Sequence, residues 1–262
     1  MIHLDRLLER TVSKLPPDLV DQVVVFGGAP MVLCDLKPDV ERELDLFGSA
    51  HAYDLLVRAG FEHLKDASQQ DRVMVAEDVA LAKMCFGVRY DEVHAASVAT
   101  HGSHGLRVAA LEHVFEAKLA THREDQQEDI RLLRKAIEPD ARKTVLSWQA
   151  AVLAQDLDRT LALSHEDIEV GGPQGVARGH THLGVWLARS GIALSNVRTF
   201  QQGPRLVIEQ QASWTLDDGS KESMLVAIGF KVLRSRIASV VHYGSLDEAL
   251  NALGLRSEHE VV

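Results

Sequence analysis

The chain has 262 residues, of which 46% are hydrophobic and 25% charged, and its formal net charge is −10. This composition indicates an ordinary globular protein long enough for two domains, and it excludes fibrous, low-complexity and transmembrane classes. The acidic balance argues against nonspecific nucleic-acid binding, which needs basic patches. Two cysteines, a charged start and no apolar span predict a cytoplasmic protein with no membrane partner.

The first predicted elements are a helix at residues 3–14 and a short strand that ends in two glycines. The strand Val23–Phe26 is continuously apolar, which is typical of a strand buried on both faces. A helix over 29–34 follows Gly27 and Gly28. Glycines just before a helix let a phosphate approach backbone N–H groups, so both are candidate cofactor-binding residues.

The next strand, around residues 44–47, carries two carboxylates. Glu43 and Asp45 stand at positions i and i+2, which point to the same face of a strand. They can converge on a hard divalent cation such as Mg²⁺, which prefers oxygen ligands. The competing interpretation is a solvated edge strand. Beside Gly27 and Gly28, the pair is suited to handling a nucleoside triphosphate.

The rest of the first half predicts a mixed set of helices and strands. A helix is expected over 50–59, strands near 72–75, 81–86 and 88–94, and helices near 111–121 and 126–137. Pro139, flanked by Glu138 and Asp140, predicts the end of a helix and a domain boundary. The predicted domains are residues 1–139 and 140–262.

Gly-Gly, a helix and then acid-x-Asp on a strand resemble the minimal nucleotidyltransferase fold, an α/β domain. Within this fold, the segment is most similar to the branch of the abortive-infection type IV toxins. That branch typically has a helix with an inward lysine, a short basic turn and an Asp-containing helix. The matching residues here are Lys118, His122-Arg123 and Asp129.

This resemblance implies transfer of a nucleoside monophosphate from a nucleoside triphosphate to a hydroxyl acceptor. Mg²⁺ would be held by Glu43, Asp45 and a third carboxylate from a neighbouring strand, for which Asp91 and Glu92 are both candidates. Lys118 would neutralise developing charge. Glu43 stands where the family has Asp, and Glu41 where it has Thr. An active enzyme and a degenerate pseudoenzyme both remain open.

The second half predicts helices followed by three long strands. A helix is expected over 141–154, a short strand over 165–170 and a helix over 179–190. The long strands are 205–215, 222–233 and 237–243, and the predicted hairpin turn between the first two is Asp217-Asp218-Gly219-Ser220. A last helix follows near residues 246–253.

Helices followed by a curved antiparallel sheet resemble the cone-shaped α+β fold of the SnoaL-like, nuclear-transport-factor-like superfamily. The residues that carry this resemblance are Trp148, Asp156-Leu157-Asp158, 167–173, 175–179, 207–210, Trp214, Val241-His242-Tyr243 and Leu246. The expected fold class of the whole chain is therefore α+β, with a nucleotidyltransferase-like α/β domain followed by this cone.

The superfamily resemblance implies one cone cavity that serves enzymes and noncatalytic binders alike. The candidate cavity residues are Trp186, Glu209, Trp214, His242 and Tyr243. No acid stands alone on an apolar strand face, so no convincing general base is evident. The alternatives are a small hydrophobic ligand bound without catalysis, a homodimer through the sheet, and a cyclase or isomerase.

Overall fold

The computed structural model describes residues 3–40, 43–65, 70–172, 175–189, 193–215 and 221–261. The chain divides into two compact units, Met1–Leu133 and Arg134–Val262. Each unit combines helices with a mixed sheet, so the predicted α+β class is confirmed.

The first unit contains five complete helices and the start of a sixth among its described residues. The helices are α1 Leu4–Lys14, α2 Ala29–Leu33, α3 Ala50–Arg58, α4 Tyr90–Ala96, α5 Leu111–Thr121 and α6 Gln127–Leu153. The strands are β1 Val23–Val25, β2 Leu44–Gly48, β3 Glu62–Lys65, β4 Asp71–Ala76, β5 Val79–Ala82, β6 Val98–Ala99 and β7 Arg107–Val108. Short 3-10 turns lie at Pro17–Gln22 and Glu124–Gln126.

These strands form one mixed sheet in the order β3-β4-β5-β2-β1-β7-β6. The acidic strand β2 lies at its centre, antiparallel to β1 and parallel to β5. It is therefore not a solvated edge strand. Alternate residues of β2, β4 and β5, such as Leu46, Val73 and Leu81, are buried in a core that also contains Leu7 and Leu8 of α1. The opposite face of these strands is left to form the candidate site.

The predicted strand over residues 88–94 is wrong, because Tyr90–Ala96 form helix α4. A helix buries Val93 completely and lets the Tyr90 hydroxyl donate to the Gln22 carbonyl oxygen at 2.8 Å. Asp91 and Glu92 are exposed in its first turn, where the helix dipole favours acidic residues.

The second unit contains α6 from Arg134 onwards and three further helices among its described residues. These helices are α7 Leu157–Ala162, α8 His180–Arg189 and α9 Leu246–Leu253. The strands are β8 Ser164–Gly172, β9 Gly175–Arg178, β10 Ala193–Gln202, β11 Arg205–Thr215, β12 Lys221–Leu233, β13 Arg236–Tyr243 and β14 Glu260–Val261. A 3-10 turn lies at Ser257–His259. The predicted hairpin turn at 217–220 lies outside the described residues.

The second sheet has the order β14-β10-β11-β12-β13-β8-β9 and is antiparallel except for the β13–β8 pair. Alternation along β11 and β12 separates two buried clusters. Leu206, Ile208 and Phe230 belong to a cluster with Trp148 of α6, whereas Val207 packs in the cluster that contains α9. The face that contacts α6 and α8 contains the second candidate site.

Helix α6 continues through Pro139, so the predicted end of a helix at that residue is wrong. Proline removes one backbone N–H and one helical hydrogen bond, which costs free energy but does not always end a helix. Buried apolar residues on both sides of the proline, Ile137 and Ala141, follow the helical period and favour continuation. The boundary between the two compact units, between Leu133 and Arg134, lies six residues before the predicted boundary.

None of the described helices is both long and apolar enough to cross a lipid bilayer. Homodimerisation through the second sheet stays a prediction. Met224 and Leu225 on β12 are more than half exposed.

Candidate functional sites

A pocket of about 450 Å³ lies on the side of the first sheet opposite the α1 core. We call it the N-terminal pocket. Five residues predicted from three separate segments line it: Gly27, Gly28, Glu43, Asp45 and Lys118. Gly27 and Gly28 follow β1, the two acids belong to the start of β2, and Lys118 comes from α5. The fold thus brings together side chains that are up to ninety residues apart in sequence.

Arg72 of β4 joins the two acids. Its guanidinium group donates from Nη1 to Glu43 Oε1 and from Nη2 to Asp45 Oδ1. Strand β5 separates β4 from β2, and on the pocket face it presents Ala80 and Ala82. Because these side chains are small, the long arginine side chain can cross over them to the acids.

The charges of Arg72 and Glu43 affect the ionisation of Asp45, and both acids affect that of Arg72. Burial raises the pKa of Asp45, Arg72 opposes the rise, and the neighbouring negative charge of Glu43 adds to it. For Arg72, burial acts to lower the pKa, but Asp45 and Glu43 outweigh it and the net shift is upward. The guanidinium is therefore firmly charged and the Asp45 carboxylate depends on it for compensation.

Gly27 lets the Asp45 carboxylate lie against the backbone of the loop after β1. Its φ angle is +64°, in the left-handed region that favours glycine. A Cβ at this position would lie 2.2 Å from Asp45 Oδ2. Gly28, by contrast, has φ −79°, and a Cβ there would meet nothing within 4 Å. The first glycine is required by the fold, whereas the second leaves open space in the pocket.

A second charged cluster forms the far side of the pocket around Asp129 of α6. Lys37 Nζ donates to Asp129 Oδ1 and Lys118 Nζ donates to Asp129 Oδ2, each at 2.8 Å. Burial acts to raise the pKa of Asp129, but hydrogen bonds from Lys118 and Lys37 outweigh it and hold the pKa below its usual value. Lys118 thus lies inward, and Asp129 fixes its ammonium group at the pocket.

Asp91 and Glu92 are not part of this pocket, so their predicted role as a third carboxylate is not supported by their position in α4. Asp91 is paired with Arg89 at 3.0 Å on the surface. Among the described residues, no group of three or more His, Cys, Asp or Glu side chains is placed to hold a metal ion. Cys85 also lines the pocket, and burial raises the pKa of its thiol to about 12, so it stays protonated at neutral pH.

The second unit contains a smaller cavity of about 290 Å³, which we call the C-terminal cavity. Trp148 and Trp186 lie along it with ring centroids 5.9 Å apart and planes at 24°, and Phe230 meets Trp148 edge-on. The Trp148 indole N–H donates to Ser164 Oγ at 3.0 Å. Among the described residues that line this cavity, none has an ionisable side chain.

The structure places only one described member of the predicted cavity set in this lining, Trp186. Glu209 is on the other face of β11, where it affects the pKa of Arg198. Tyr243 packs against the α9 cluster. His242 is half-buried, which lowers its pKa, but it is not among the described lining residues. The side chain of Trp214 lies outside the described part of the chain.

Three amide side chains line one part of the C-terminal cavity. Gln210 Nε2 donates to Asn196 Oδ1 at 2.6 Å, and Asn196 Nδ2 donates to Gln149 Oε1 at 3.2 Å. Gln210 is only 2% exposed. Its Oε1 atom is buried, and no hydrogen-bond partner for it lies in the part of the chain that the structure describes.

Sequence reasoning missed Arg72, Lys37 and Gln210. Arg72 alternates with Val73 and Val75 along β4, which is a usable signal that it faces away from the core. Gln210 interrupts the apolar face formed by Ile208 and Ala212, the mark of an inward polar residue. Lys37 lies in a loop and carries no such signal.

A scan against protein-family models and a search of curated proteins gave no match to this chain. A search of solved structures did find similar chains. An NTF2-like protein from Burkholderia xenovorans is 24% identical with a TM-score of 0.37, and the match covers 44% of this chain and 95% of the other.

Two mycobacterial structures are also similar. An epoxide hydrolase of the LEH-like type from Mycobacterium tuberculosis is 18% identical with a TM-score of 0.36, covering 44% of this chain and 90% of that one. A protein from the same organism, in complex with estradiol-17beta-hemisuccinate, is 17% identical with a TM-score of 0.37, covering 41% and 95%. At these scores the likenesses carry no conclusion about the function of this chain.

The two glycines offer a matched pair of substitutions. Gly27→Ala should lower the free energy of unfolding by about 1–3 kcal/mol, since it combines a left-handed backbone with a clash against Asp45. Gly28→Ala should change it by less than about 1 kcal/mol. Urea denaturation followed by circular dichroism measures both. Equal effects of the two substitutions would contradict the proposed contact between Gly27 and Asp45.

The Asp129 cluster predicts a pH-dependent contribution to stability. Asp129→Asn should cost about 1–3 kcal/mol at pH 7, because it takes the carboxylate charge away from Lys118, which is buried, and from Lys37, which is half-buried. Since the pKa of Asp129 is lowered on folding, this contribution is complete above the unfolded pKa and is lost as the pH falls below about 4. Denaturation from pH 3 to 8 measures the difference between the two proteins.

Glu128→Gln is the control for Asp129→Asn. Glu128 is the preceding residue and forms an exposed ion pair with Arg131. Its substitution should leave the free energy of unfolding nearly unchanged, because exposed ion pairs contribute little to stability. A difference between Asp129→Asn and wild type that persists unchanged to pH 3 would show that the carboxylate charge is not responsible.

Proposed function

We propose that the first unit binds a nucleoside triphosphate in the N-terminal pocket and transfers a nucleoside monophosphate from it to a hydroxyl acceptor. The observation that carries this proposal is the convergence of Gly27, Gly28, Glu43, Asp45 and Lys118 on one cavity. The volume of about 450 Å³ falls within the range of about 300–1,000 Å³ that is usual for small-molecule sites.

The carboxylates of the N-terminal pocket are suitable ligands for a Mg²⁺ ion that binds together with the nucleotide. Mg²⁺ is commonly held by one or two carboxylates together with substrate phosphates, and Glu43 and Asp45 already reach one common partner, Arg72. A bound Mg²⁺ would supply charge neutralisation and orientation of the phosphates. The guanidinium of Arg72 would have to leave the two carboxylates.

The protein's own side chains would then act on the phosphates. Arg72, released from the acids, is long enough to pair with phosphate oxygens, which match its planar donor group. Lys118, fixed by Asp129, would neutralise charge that develops during transfer. Gly28 leaves room for a phosphate to approach the backbone closely. In the noncatalytic alternative, the same groups bind a nucleotide without turnover.

The test is thermal unfolding with ATP, GTP, CTP or UTP, each with Mg²⁺ or with EDTA. At about 100 times its Kd, a nucleotide should add about 2.7 kcal/mol to the free energy of unfolding, and the effect should need Mg²⁺. Asp45→Asn and Glu43→Gln should each abolish the Mg²⁺-dependent part. Radiolabelled NTP with the same variants then tests transfer.

Asp71→Asn provides the matched control. Asp71 precedes Arg72 on β4, but it pairs with His63 and does not line the pocket. This variant should respond to nucleotide like the wild type. No metal-dependent shift with any of the four nucleotides would contradict the proposed function of the first unit.

A second candidate function concerns the second unit, and the apolar lining of the C-terminal cavity favours it. We propose that this cavity binds a small apolar molecule without acid–base catalysis. The two tryptophans and Phe230 supply aromatic surface, whereas general acid–base catalysis needs a titratable group, which the described lining lacks. A cyclase or isomerase acting there is therefore less well supported than binding.

Binding of p-xylene, followed by methyl NMR shifts of cavity residues such as Ile228 and Val240, tests this second candidate. Leu146 lines the cavity and is half exposed, so Leu146→Trp should narrow it and weaken binding at least tenfold. Val176→Trp, at an exposed position of β9 outside the lining, is the control and should leave binding unchanged. Identical affinities in all three proteins would place the ligand elsewhere.

A further inference from the structure

The unpartnered oxygen of Gln210 indicates what kind of ligand the C-terminal cavity selects. Buried polar groups in folded proteins are almost always hydrogen-bonded, because leaving one without a partner costs free energy. Gln210 is 2% exposed and its Oε1 has no hydrogen-bond partner among the described residues, although the residue lines a largely apolar cavity. Such an atom is a candidate contact for a ligand.

The amide triad orients this oxygen. Gln210 uses its NH₂ group to donate to Asn196 Oδ1, and Asn196 in turn is linked to Gln149 of α6. Since one hydrogen bond from the NH₂ group of Gln210 already goes to Asn196, Oε1 is the atom of this lining residue that still needs a donor. A carbonyl oxygen accepts hydrogen bonds from O–H and N–H groups.

We infer that the C-terminal cavity selects small apolar molecules that carry one uncharged hydrogen-bond donor, such as a phenolic hydroxyl or an aniline N–H, and that Gln210 Oε1 accepts this hydrogen bond. The inference rests on the second proposed function, binding of an apolar molecule in the cavity. It adds the chemical class of the ligand and a residue that determines specificity.

The volume and lining of the cavity restrict the size, shape and charge of the ligand. About 290 Å³ is at the lower end of the usual range for ligand sites, so the molecule is small. Trp148, Trp186 and Phe230 favour an aromatic or otherwise flat apolar body. Because no described lining residue is ionisable, a charged ligand would be left without a counter-charge.

Three probes of similar shape separate the possibilities: p-cresol has a donor, anisole has only an acceptor, and p-xylene has neither. Water hydrates the p-cresol hydroxyl, so tighter binding of p-cresol requires an acceptor inside the cavity. In the wild-type protein, p-cresol should bind at least tenfold tighter than anisole and p-xylene, as measured by NMR titration.

Gln210→Met removes the acceptor and keeps the length of the side chain. This variant should still bind p-xylene, which shows that the cavity is intact, and should lose the preference for p-cresol by tenfold or more. Gln211→Met is the control, since Gln211 is exposed and contacts Ser223 instead of the cavity. It should keep the wild-type preference.

The outcomes distinguish the two ideas. If p-xylene binds but p-cresol gains nothing, or if Gln210→Met keeps the preference, the inference about Gln210 is overturned while ligand binding stands. If anisole binds tightest, the NH₂ edge of an amide faces the ligand and the inference is also overturned. If no probe changes the NMR shifts of the cavity residues, the proposed binding and the inference about Gln210 are both overturned.

Discussion

The N-terminal pocket depends on one interaction, the bridge from Arg72 to Glu43 and Asp45. Three strands cooperate to make it, because the arginine starts from β4, crosses the small residues of β5 and ends on β2. Without a counter-charge, two carboxylates this close would repel each other, and burial would penalise the charge on Asp45. The guanidinium compensates the two acids and keeps them together.

A similar logic governs the far wall of the pocket, with the charges reversed. There one carboxylate, Asp129, compensates two lysines. The pocket is thus lined by two clusters of three charged groups, and in each cluster one group compensates two of opposite charge. A charged ligand gains affinity there only if it offers these groups better partners than they already have.

Local sequence patterns predicted most of the helices and strands. The glycines and acids that these patterns singled out, and Lys118, which the family resemblance added, line one cavity. The sequence predictions failed where packing between residues that are distant in sequence determines the secondary structure. The segment containing Asp91 has a strand-like composition, yet burial of Val93 and the hydrogen bond from the Tyr90 hydroxyl to Gln22 favour a helix. Pro139 is a typical helix breaker, yet buried residues on both sides keep α6 continuous. Partners such as Lys37 and Asp129, 92 residues apart, are invisible to any local pattern.

The C-terminal cavity shows how much a single position matters in a strand. Glu209 was a candidate and Gln210 was not, but alternation puts Gln210 in the cavity and Glu209 on the opposite face. The choice needed the register of β11 against β10 and β12, which comes from pairing across the whole sheet. Composition alone does not give that register.

The contrast between the two sites has a consequence for their response to the solvent. Counter-ions screen exposed charges, and the four ion pairs of Arg72 and Asp129 open onto a pocket that solvent can enter. The described lining of the C-terminal cavity is uncharged, so dissolved salt has little there to screen. Ionic strength is therefore a variable that acts on the N-terminal pocket while leaving the C-terminal cavity nearly unaffected.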